Sequence, residues 1–311
     1  MDIIAGLIQT AFLAGGVLAL AALGEVLAER VGVVNLGVEG LIALGAMSAV
    51  ATVVSTGSAW LGLLVALFVG FCSGMIFATA TVIIRANQIL CGLALTYIGT
   101  GMAATIGKPF SGSPVPVTFE DLHIPFLSDL PFFGRAFFSH NILVYVIFLA
   151  LPLALHYMMF YTRHGLNMRA VGENPAAADA AGISVIKMRF WYTSLGSALA
   201  AGAGAYLTLS FVPSWSEGVV AGRGWIAVAL VIFAGFRPIN AVLAGLLFGF
   251  VTALGFTGQA RNWPIASSIL SMLPYLGTMA LMILPVMTWQ RMRRLMAAPE
   301  GITAPYYRDQ R

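Results

Sequence analysis

The sequence predicts an all-α protein that crosses a membrane several times, and three observations support this fold class. Hydrophobic residues make up 59% of the chain and charged residues only 9%, against about 25% charged residues in soluble domains. The mean hydropathy is +0.91. Long apolar runs recur along the 311 residues, and long apolar runs in a bilayer form helices because a helix satisfies its own backbone hydrogen bonds.

Nine apolar runs approach the length of a membrane-spanning helix, which is about 20 residues. They lie near Ile3–Leu27, Glu39–Val54, Ala59–Ile84, Ile89–Gly107, Asn141–Tyr161, Phe190–Phe211, Gly224–Phe236, Ile239–Phe256 and Ala266–Trp289. The second and seventh runs are the shortest. The first run is interpreted as an uncleaved span, since Asp2 stands where a signal peptide carries basic residues.

The 16 lysine and arginine residues predict the orientation of these spans. If the chain has nine spans and an inner C-terminus, four of these basic residues lie outside, namely Lys108, Arg135, Arg223 and Arg261. The other twelve lie inside: Arg30, Arg85, Arg163, Arg169, Lys187, Arg189, Arg237, Arg291, Arg293, Arg294, Arg308 and Arg311. This bias predicts an outer N-terminus. One transmembrane domain, residues 1–311, then has a cytosolic loop at 162–189, an outer loop at 108–140 and a cytosolic tail at 290–311.

The polar segment from Arg163 to Arg189 contains the pattern of a short capped helix. Asn174 suits the N-cap, Pro175 suits the first helical position, and Gly182 suits a left-handed stop. A helix of about 10 Å is too short to cross a bilayer. The pattern therefore favours a contact with something outside the membrane, and a plain connecting loop is the alternative.

The acidic residues near the spans, Glu25, Glu29 and Glu39, cluster in Gly24–Gly40, where glycines between Gly32 and Gly40 predict a helix break. Asn35 is expected to cap the helix that follows. Intramembrane carboxylates are costly unless they are paired or solvated, so Glu25 or Glu29 either pairs with Arg30 or takes part in gating. No chain of acids follows in the later spans, which argues against a proton-coupled carrier.

Arg223 lies between two glycines at the start of the seventh run. It either occupies the mouth of a pathway or extends to the outer interface. No histidine, cysteine or serine pattern matches a metal or catalytic site, and no phosphate-binding loop occurs. The sequence thus predicts neither an enzyme nor a resident cofactor. The net charge of +4 follows the membrane topology and does not indicate a nucleic-acid partner.

Three segments together resemble permease subunits of bacterial ABC importers, in the class that transports branched-chain amino acids and simple sugars. They are Glu29–Gly40, Val171–Ile183 and the glycine-rich Gly222–Ala229. The run Asn35–Gly40 resembles the nucleoside-type branch in particular. The similarity extends over about residues 10 to 290.

The resemblance implies a multi-pass protein of the bacterial inner membrane and a division of labour. A second permease subunit, commonly a longer one, would complete the pathway. An ATP-binding cassette subunit would hold ATP and magnesium, and an extracytoplasmic binding protein would deliver the substrate. The short helix would be a coupling helix whose ATPase contacts are Glu173, Asn174, Pro175, Ala177, Ala178 and Gly182.

The expected function is therefore that of the permease subunit of an ATP-driven nucleoside importer. The same machine importing a pentose or hexose is the nearest alternative, and a stand-alone secondary transporter is a more distant one. We expect Asn35 and Glu39 to line the pathway near the inner face and Arg223 to lie near its outer mouth, because polar groups at membrane depth require water or protein partners.

Overall fold

The computed structural model describes residues 2–112, 114–288 and 297–307, and helices make up most of them. The α-helices in chain order are α1 Asp2–Arg30, α2 Val38–Thr56, α3 Ala59–Ala78, α4 Gln88–Gly107, α5 Ile142–Tyr145, α6 Leu151–Tyr161, α7 Arg163–Glu173, α8 Pro175–Ala180, α9 Val185–Tyr206, α10 Arg223–Phe233, α11 Pro238–Ala260 and α12 Ser267–Thr288. π-helical turns extend α3 over Thr79–Ile83, join α5 to α6 over Val146–Ala150 and extend α9 over Leu207–Phe211.

Six of these helical segments are long and apolar enough to cross a membrane. They are Ile3–Arg30, Val38–Thr56, Ala59–Ile83, Gln88–Phe110, Ile142–Tyr161 and Pro238–Ala260. They coincide with the first five and the eighth of the nine predicted spans, which confirms a helical architecture with several apolar spans. The basic residues 291, 293, 294, 308 and 311 and the end of the ninth predicted span at Trp289 lie outside the described residues.

The seventh predicted span is shorter than the sequence suggested. It forms α10, which has 11 residues. At 1.5 Å per residue this helix is about 16 Å long, half of a hydrocarbon core of about 30 Å. Since Gly222 has a φ of +76° and Gly235 one of +61°, the chain turns sharply at both ends of α10. The helix is therefore too short to cross a membrane on its own.

The core forms where α1 packs against α9 and α11, and where α2 packs against α9. Small residues allow this close approach. A Cβ atom on Gly24 would collide with the carbonyl oxygen of Gly196, and one on Gly196 would collide with that of Gly24. In lipid, such contacts between small residues are a main source of helix association. Leu23 on α1 is completely buried beside this contact.

The predicted helix break after α1 is confirmed, but the role of Asn35 is different. Gly32 adopts a φ of +88°, and α2 begins at Val38 with Gly37 in the N-cap position. The Asn35 side chain does not cap α2; its Oδ1 accepts a hydrogen bond from the Gly37 N–H at 2.9 Å. Asn35 lies two residues before the helix cap, so its carboxamide closes the preceding turn instead.

Part of the predicted outer loop at 108–140 packs against the bundle. Its first part packs along the end of α9, where the Val115 N–H donates to the Pro213 carbonyl and the Phe119 N–H donates to the Leu209 carbonyl, both at 3.0 Å. The Phe119 ring contacts the Trp60 ring edge-on. This loop covers the end of the bundle next to α10.

Candidate functional site

The Glu39 carboxylate joins the start of α2 to the start of α10. Its Oε1 accepts a hydrogen bond from the Gly222 N–H at 2.8 Å, and its Oε2 accepts one from the Gly224 N–H at 2.7 Å. Glu39 is only 9% exposed. A carboxylate that accepts backbone N–H groups at a helix start satisfies donors that have no partner within the helix. We refer to Glu39 with the turn Gly222–Gly224 as the Glu39 junction.

The junction corrects the predicted separation of Glu39 and Arg223. The sequence analysis placed Glu39 near the inner face and Arg223 near the outer mouth, yet the two backbone N–H groups that flank Arg223 bind Glu39. Glu39 and Arg223 are thus neighbours at this junction. The Arg223 Nη1 donates to the Val219 and Val220 carbonyls at 2.8 and 3.0 Å, so its side chain folds back onto its own turn.

Two cavities flank the junction. One, of about 420 Å³, is lined by Glu39, Tyr97, Thr100, Trp215 and Glu217 among others. The Thr100 hydroxyl donates to the Thr96 carbonyl at 2.8 Å, which leaves its oxygen free to accept. This cavity, which we call the Glu39 cavity, combines hydrogen-bond acceptors with two aromatic side chains.

The second cavity lies on the other side of the turn. It measures about 260 Å³ and is lined by Arg223, Thr252, Gln259 and Tyr275 together with apolar residues of α1 and α11. The Tyr275 hydroxyl donates to the Ala221 carbonyl, so this side chain is fixed to the turn. The Glu39 junction thus separates two open volumes.

Asn35, the third predicted pathway residue, lies on a different contact. Its Nδ2 donates to the Ser197 Oγ of α9 at 3.3 Å, and only 1% of the residue is exposed. It borders neither of the two cavities. Asn35 therefore fixes the helix break to α9, while Glu39 and Arg223 border the open volumes.

The expected partner of Arg30 is also different. Arg30 Nε donates to the Phe236 carbonyl at 2.8 Å and Nη2 donates to the Gly235 carbonyl at 3.2 Å. Its ion-pair partner is Glu173, at 3.8 Å. Glu25 and Glu29 are 0% and 2% exposed and form no ion pair within the described residues. A pairing of Glu25 or Glu29 with Arg30 was thus wrong; Arg30 instead joins α1 to the end of α10 and to α7.

The predicted short helix exists as α8, with the caps that its sequence indicated. The Asn174 Oδ1 accepts a hydrogen bond from the Ala177 N–H at 2.9 Å, and Pro175 occupies the first turn. Gly182 adopts a φ of +83° after the helix. Glu173, Asn174, Ala177 and Gly182 are exposed and Pro175 is half-buried.

Ala178 does not share this exposure. It is 2% exposed and belongs to the core, so it packs α8 onto the protein and does not face a partner. The sequence analysis also missed α7, an 11-residue helix directly before α8. Its amphipathic spacing and the Thr162 N-cap, which accepts from the Gly165 N–H at 3.1 Å, are the signals that would have indicated it.

Residues 297–307, which we call the C-terminal strap, connect α8 to the helix break. The Gly301 N–H donates to the Gly172 carbonyl at 2.9 Å, next to α8. The Thr303 N–H donates to the Gly32 carbonyl in the break at 3.2 Å. The strap thus bonds both to the end of α7, next to α8, and to the helix break.

Arg189 anchors the strap. Its Nη1 donates to the Ala304 carbonyl at 2.7 Å, its Nη2 to the Gly301 carbonyl at 3.0 Å and its Nε to the Val31 carbonyl at 3.0 Å. The residue is 2% exposed. The sequence analysis used Arg189 only to predict the orientation of the spans. No feature of the neighbouring sequence distinguishes this buried arginine from the exposed Lys187.

Comparison with known proteins identifies the family of this chain. The family described as the branched-chain amino acid transport system / permease component matches residues 7–283. No solved structure matches the chain. Over 99% of both chains, 34% of residues are identical to the putative glucose ABC transporter permease protein TsgC13 of Haloferax volcanii.

Two further relatives carry nucleoside names. The guanosine ABC transporter permease protein NupQ of Bacillus subtilis is 34% identical over 78% of this chain and 79% of its own. The nucleoside ABC transporter permease protein NupC of Lactococcus lactis is 33% identical over 84% of this chain and 86% of its own.

Bacillus subtilis and Haloferax volcanii each have a second, more distant relative of this chain. NupP is 26% identical and the match covers 72% of it, while TsgB13 is 27% identical and the match covers 64% of it. In both organisms a permease similar in length to this chain thus accompanies a longer one. With six apolar helices and a family match over residues 7–283, this chain is a multi-pass membrane protein and belongs to the permease family of the branched-chain amino acid transport system.

Proposed function

We propose that this chain is one permease subunit of an ATP-driven importer of nucleosides in the bacterial plasma membrane. The observation that carries the proposal is the Glu39 junction, which fixes the start of a short helix between two cavities. Short helices that start inside a membrane place backbone groups and polar side chains where a solute passes. The nucleoside names of NupQ and NupC support the choice of substrate.

The chemistry of the Glu39 cavity suits a neutral solute with hydroxyl groups and an aromatic ring. Glu39, Glu217 and Thr100 offer acceptors for hydroxyl or amino hydrogens, and Tyr97 and Trp215 offer surfaces for stacking. The two carboxylates would repel a phosphorylated solute. A simple sugar is the second candidate, because the similarity to TsgC13 covers 99% of the chain and aromatic faces also pack against sugar rings.

The proposed topology has nine helical passes within a single domain of residues 1–311, with the N-terminus outside. α9 and α12 would supply two passes beyond the six long apolar helices, and α10, which is about 16 Å long, would form part of the third. The grouping of arginines supports this orientation, since Arg30, Arg85 and Arg189 each contact the strap or the α7–α8 segment. Cysteine labelling of Asp2→Cys and Pro305→Cys in a variant without Cys72 and Cys91 tests it, and labelling of both from one side contradicts it.

We propose that the ATPase subunit acts on this chain through α8. ATP and magnesium would bind to a separate ATPase subunit, whose surface would receive Glu173, Asn174, Pro175, Ala177 and Gly182. Displacement of α8 would then reach the helix break through the strap, because Gly301 bonds to Gly172 and Thr303 to Gly32. A longer second permease and an extracytoplasmic binding protein would complete the importer, as the paired relatives suggest.

Transport into proteoliposomes that contain the assembled importer tests the proposal. Radiolabelled guanosine and uridine should accumulate with ATP and binding protein present, and glucose or ribose should not compete. Accumulation of glucose that guanosine does not inhibit would establish the sugar alternative. Accumulation by this chain without the ATPase subunit would contradict the proposal in favour of a secondary transporter.

A further inference from the structure

A third cavity lies at the end of the bundle that carries the strap. It measures about 300 Å³ and separates the turn between α3 and α4 from the strap. Its polar lining consists of Arg85, Asn87, Gln88 and Thr303, and none of the described residues that line it is acidic. We call it the Arg85 cavity. It is distinct from the Glu39 junction and plays no part in the function proposed above.

The backbone at Arg85 is unusual. Arg85 has a φ of +64°, a conformation that a side chain with a Cβ atom rarely adopts. Such strain persists where the surroundings impose it and is concentrated at binding sites. The Arg85 guanidinium lies over the Tyr307 ring of the strap at 4.6 Å, which orients it at the cavity wall.

The two side-chain amides of the cavity offer hydrogen-bond donors, because their oxygens are already occupied. The Gln88 Oε1 accepts the Val34 N–H at 2.9 Å, and the Asn87 Oδ1 accepts the Leu90 N–H at 3.1 Å. The amide nitrogens of both side chains remain available. Among the residues that the structure describes, the buried Arg85 Nε has no hydrogen-bond partner. A buried donor without a partner is costly, and an anion would satisfy it.

The surroundings identify the kind of anion. Ile84 is 71% exposed, Leu90 is 65% exposed and Ile83 is 53% exposed, and all three belong to or adjoin helices that can cross a membrane. A ligand here thus meets a cationic, donor-rich cavity next to a surface that faces acyl chains. Arginine binds phosphate oxygens through two parallel hydrogen bonds.

We propose that the Arg85 cavity binds the phosphate of an anionic phospholipid, with its acyl chains along Ile84 and Leu90. A glycerol headgroup suits the site better than choline, since a quaternary ammonium would approach the Arg85 guanidinium. The bound lipid would contact both Gln88, which holds Val34 within the helix break, and Thr303 of the strap. Lipid binding would thereby stabilise the strap on the bundle.

Native mass spectrometry of the full-length chain, purified in detergent and titrated with phosphatidylglycerol or phosphatidylcholine, tests this site. The informative variant is Arg85→Gly, because glycine relieves the positive φ while it removes the guanidinium. This variant should unfold at the same or a higher temperature, yet bind phosphatidylglycerol about tenfold to a hundredfold more weakly, as the loss of a charge-assisted contact predicts.

Arg163→Gln is the matched control, since Arg163 is an exposed arginine of α7 that lines none of the three cavities. It should bind phosphatidylglycerol as the original chain does. Arg85→Lys keeps the charge without the guanidinium fork and should show an intermediate affinity. Equal binding by Arg85→Gly and the original chain would overturn the proposal. Equal displacement of the lipid by glycerol 3-phosphate at the same concentration would assign the cavity to soluble phosphate and overturn the lipid assignment.

Discussion

Glu39 and Gly224 fix the start of α2 to the start of α10, with the Glu39 Oε2 2.7 Å from the Gly224 nitrogen. The contact requires both residue types. The carboxylate of Glu39 supplies two acceptor oxygens for two neighbouring N–H groups. Because Gly224 has no side chain, the α2 backbone comes close enough for the carboxylate to reach both groups. A Cβ on Gly224 would lie 2.5 Å from the Glu39 Cα.

Glu39→Gln should lower both the stability and the transport rate. Glutamine keeps the shape, but its NH₂ group faces one of the two N–H donors at Gly222 and Gly224, so one buried donor loses its acceptor. We expect a loss of about 1.5–3 kcal/mol in the free energy of unfolding. Thermal unfolding and reconstituted transport measure the two effects. Glu120→Gln, on the exposed outer loop, serves as the control. Unchanged transport for both Glu39→Gln and Asn35→Ala would remove this segment from the pathway.

Gly224→Ala should destabilise the chain more than an ordinary helical substitution does. The added methyl group would collide with the Glu39 backbone. Because this backbone is rigid, the collision is relieved only if α2 and α10 move apart. The comparison is Gly101→Ala in α4, where a Cβ would meet nothing within 4 Å. That variant should be neutral or gain up to about 1 kcal/mol from helix propensity. Similar melting temperatures for both variants would contradict the close contact at the junction.

Gly182→Val should separate ATP hydrolysis from transport. Gly182 has a φ of +83° with nothing within 4 Å of a Cβ, so the substitution strains the backbone after α8 without a collision. The conformational cost is about 1–2 kcal/mol. In the assembled importer, we expect more ATP hydrolysed per solute transported. Gly57→Val carries the same strain at +71° in open space at the end of α2 and should leave this ratio unchanged. Normal coupling in Gly182→Val would refute the role of α8.

Arg189→Gln should release the C-terminal strap. Glutamine cannot reach the Val31, Gly301 and Ala304 carbonyls together, and the buried acceptors lose charge-assisted bonds. Limited proteolysis should then cleave within residues 297–307 faster, with a lower melting temperature. Lys187→Gln, an exposed neighbour on α9, is the control. A strap that stays resistant in Arg189→Gln would show that its other contacts suffice.

His140 should make the outer loop sensitive to acid. The residue is 1% exposed, and burial lowers its pKa below the ordinary value of 6.5. A lowered histidine pKa favours the neutral ring in the folded state, so the stabilisation is complete above about pH 6.5 and is lost as the pH falls below it.

Hydrogen exchange between about pH 7.5 and 5, corrected for the intrinsic rate, measures this effect on the loop. Protection of the Leu122 N–H, which donates to the His140 carbonyl at 2.9 Å, should decline over this range. His140→Gln should abolish the decline, whereas His123→Gln, whose side chain is 67% exposed, should not. A pH profile that His140→Gln leaves unaltered would contradict this assignment.

The sequence by itself determined the helical class, six of the apolar spans and the caps of α8. These features depend on local physics: hydropathy over a window, the side chain of Asn174 on the N–H of Ala177, and the positive φ that Gly182 tolerates. The family resemblance likewise rested on short local segments, and the family match over residues 7–283 confirms it.

Only the tertiary structure decided which distant residues meet. The Glu39 carboxylate accepts hydrogen bonds from Gly222 and Gly224. Arg30 forms an ion pair with Glu173. Arg189 binds the C-terminal strap. A single sequence shows that a buried carboxylate or guanidinium needs a partner, but not which of several it finds. That choice depends on how the helices cross, and the small residues of α1, α9 and α11 set those crossings by allowing the backbones to touch.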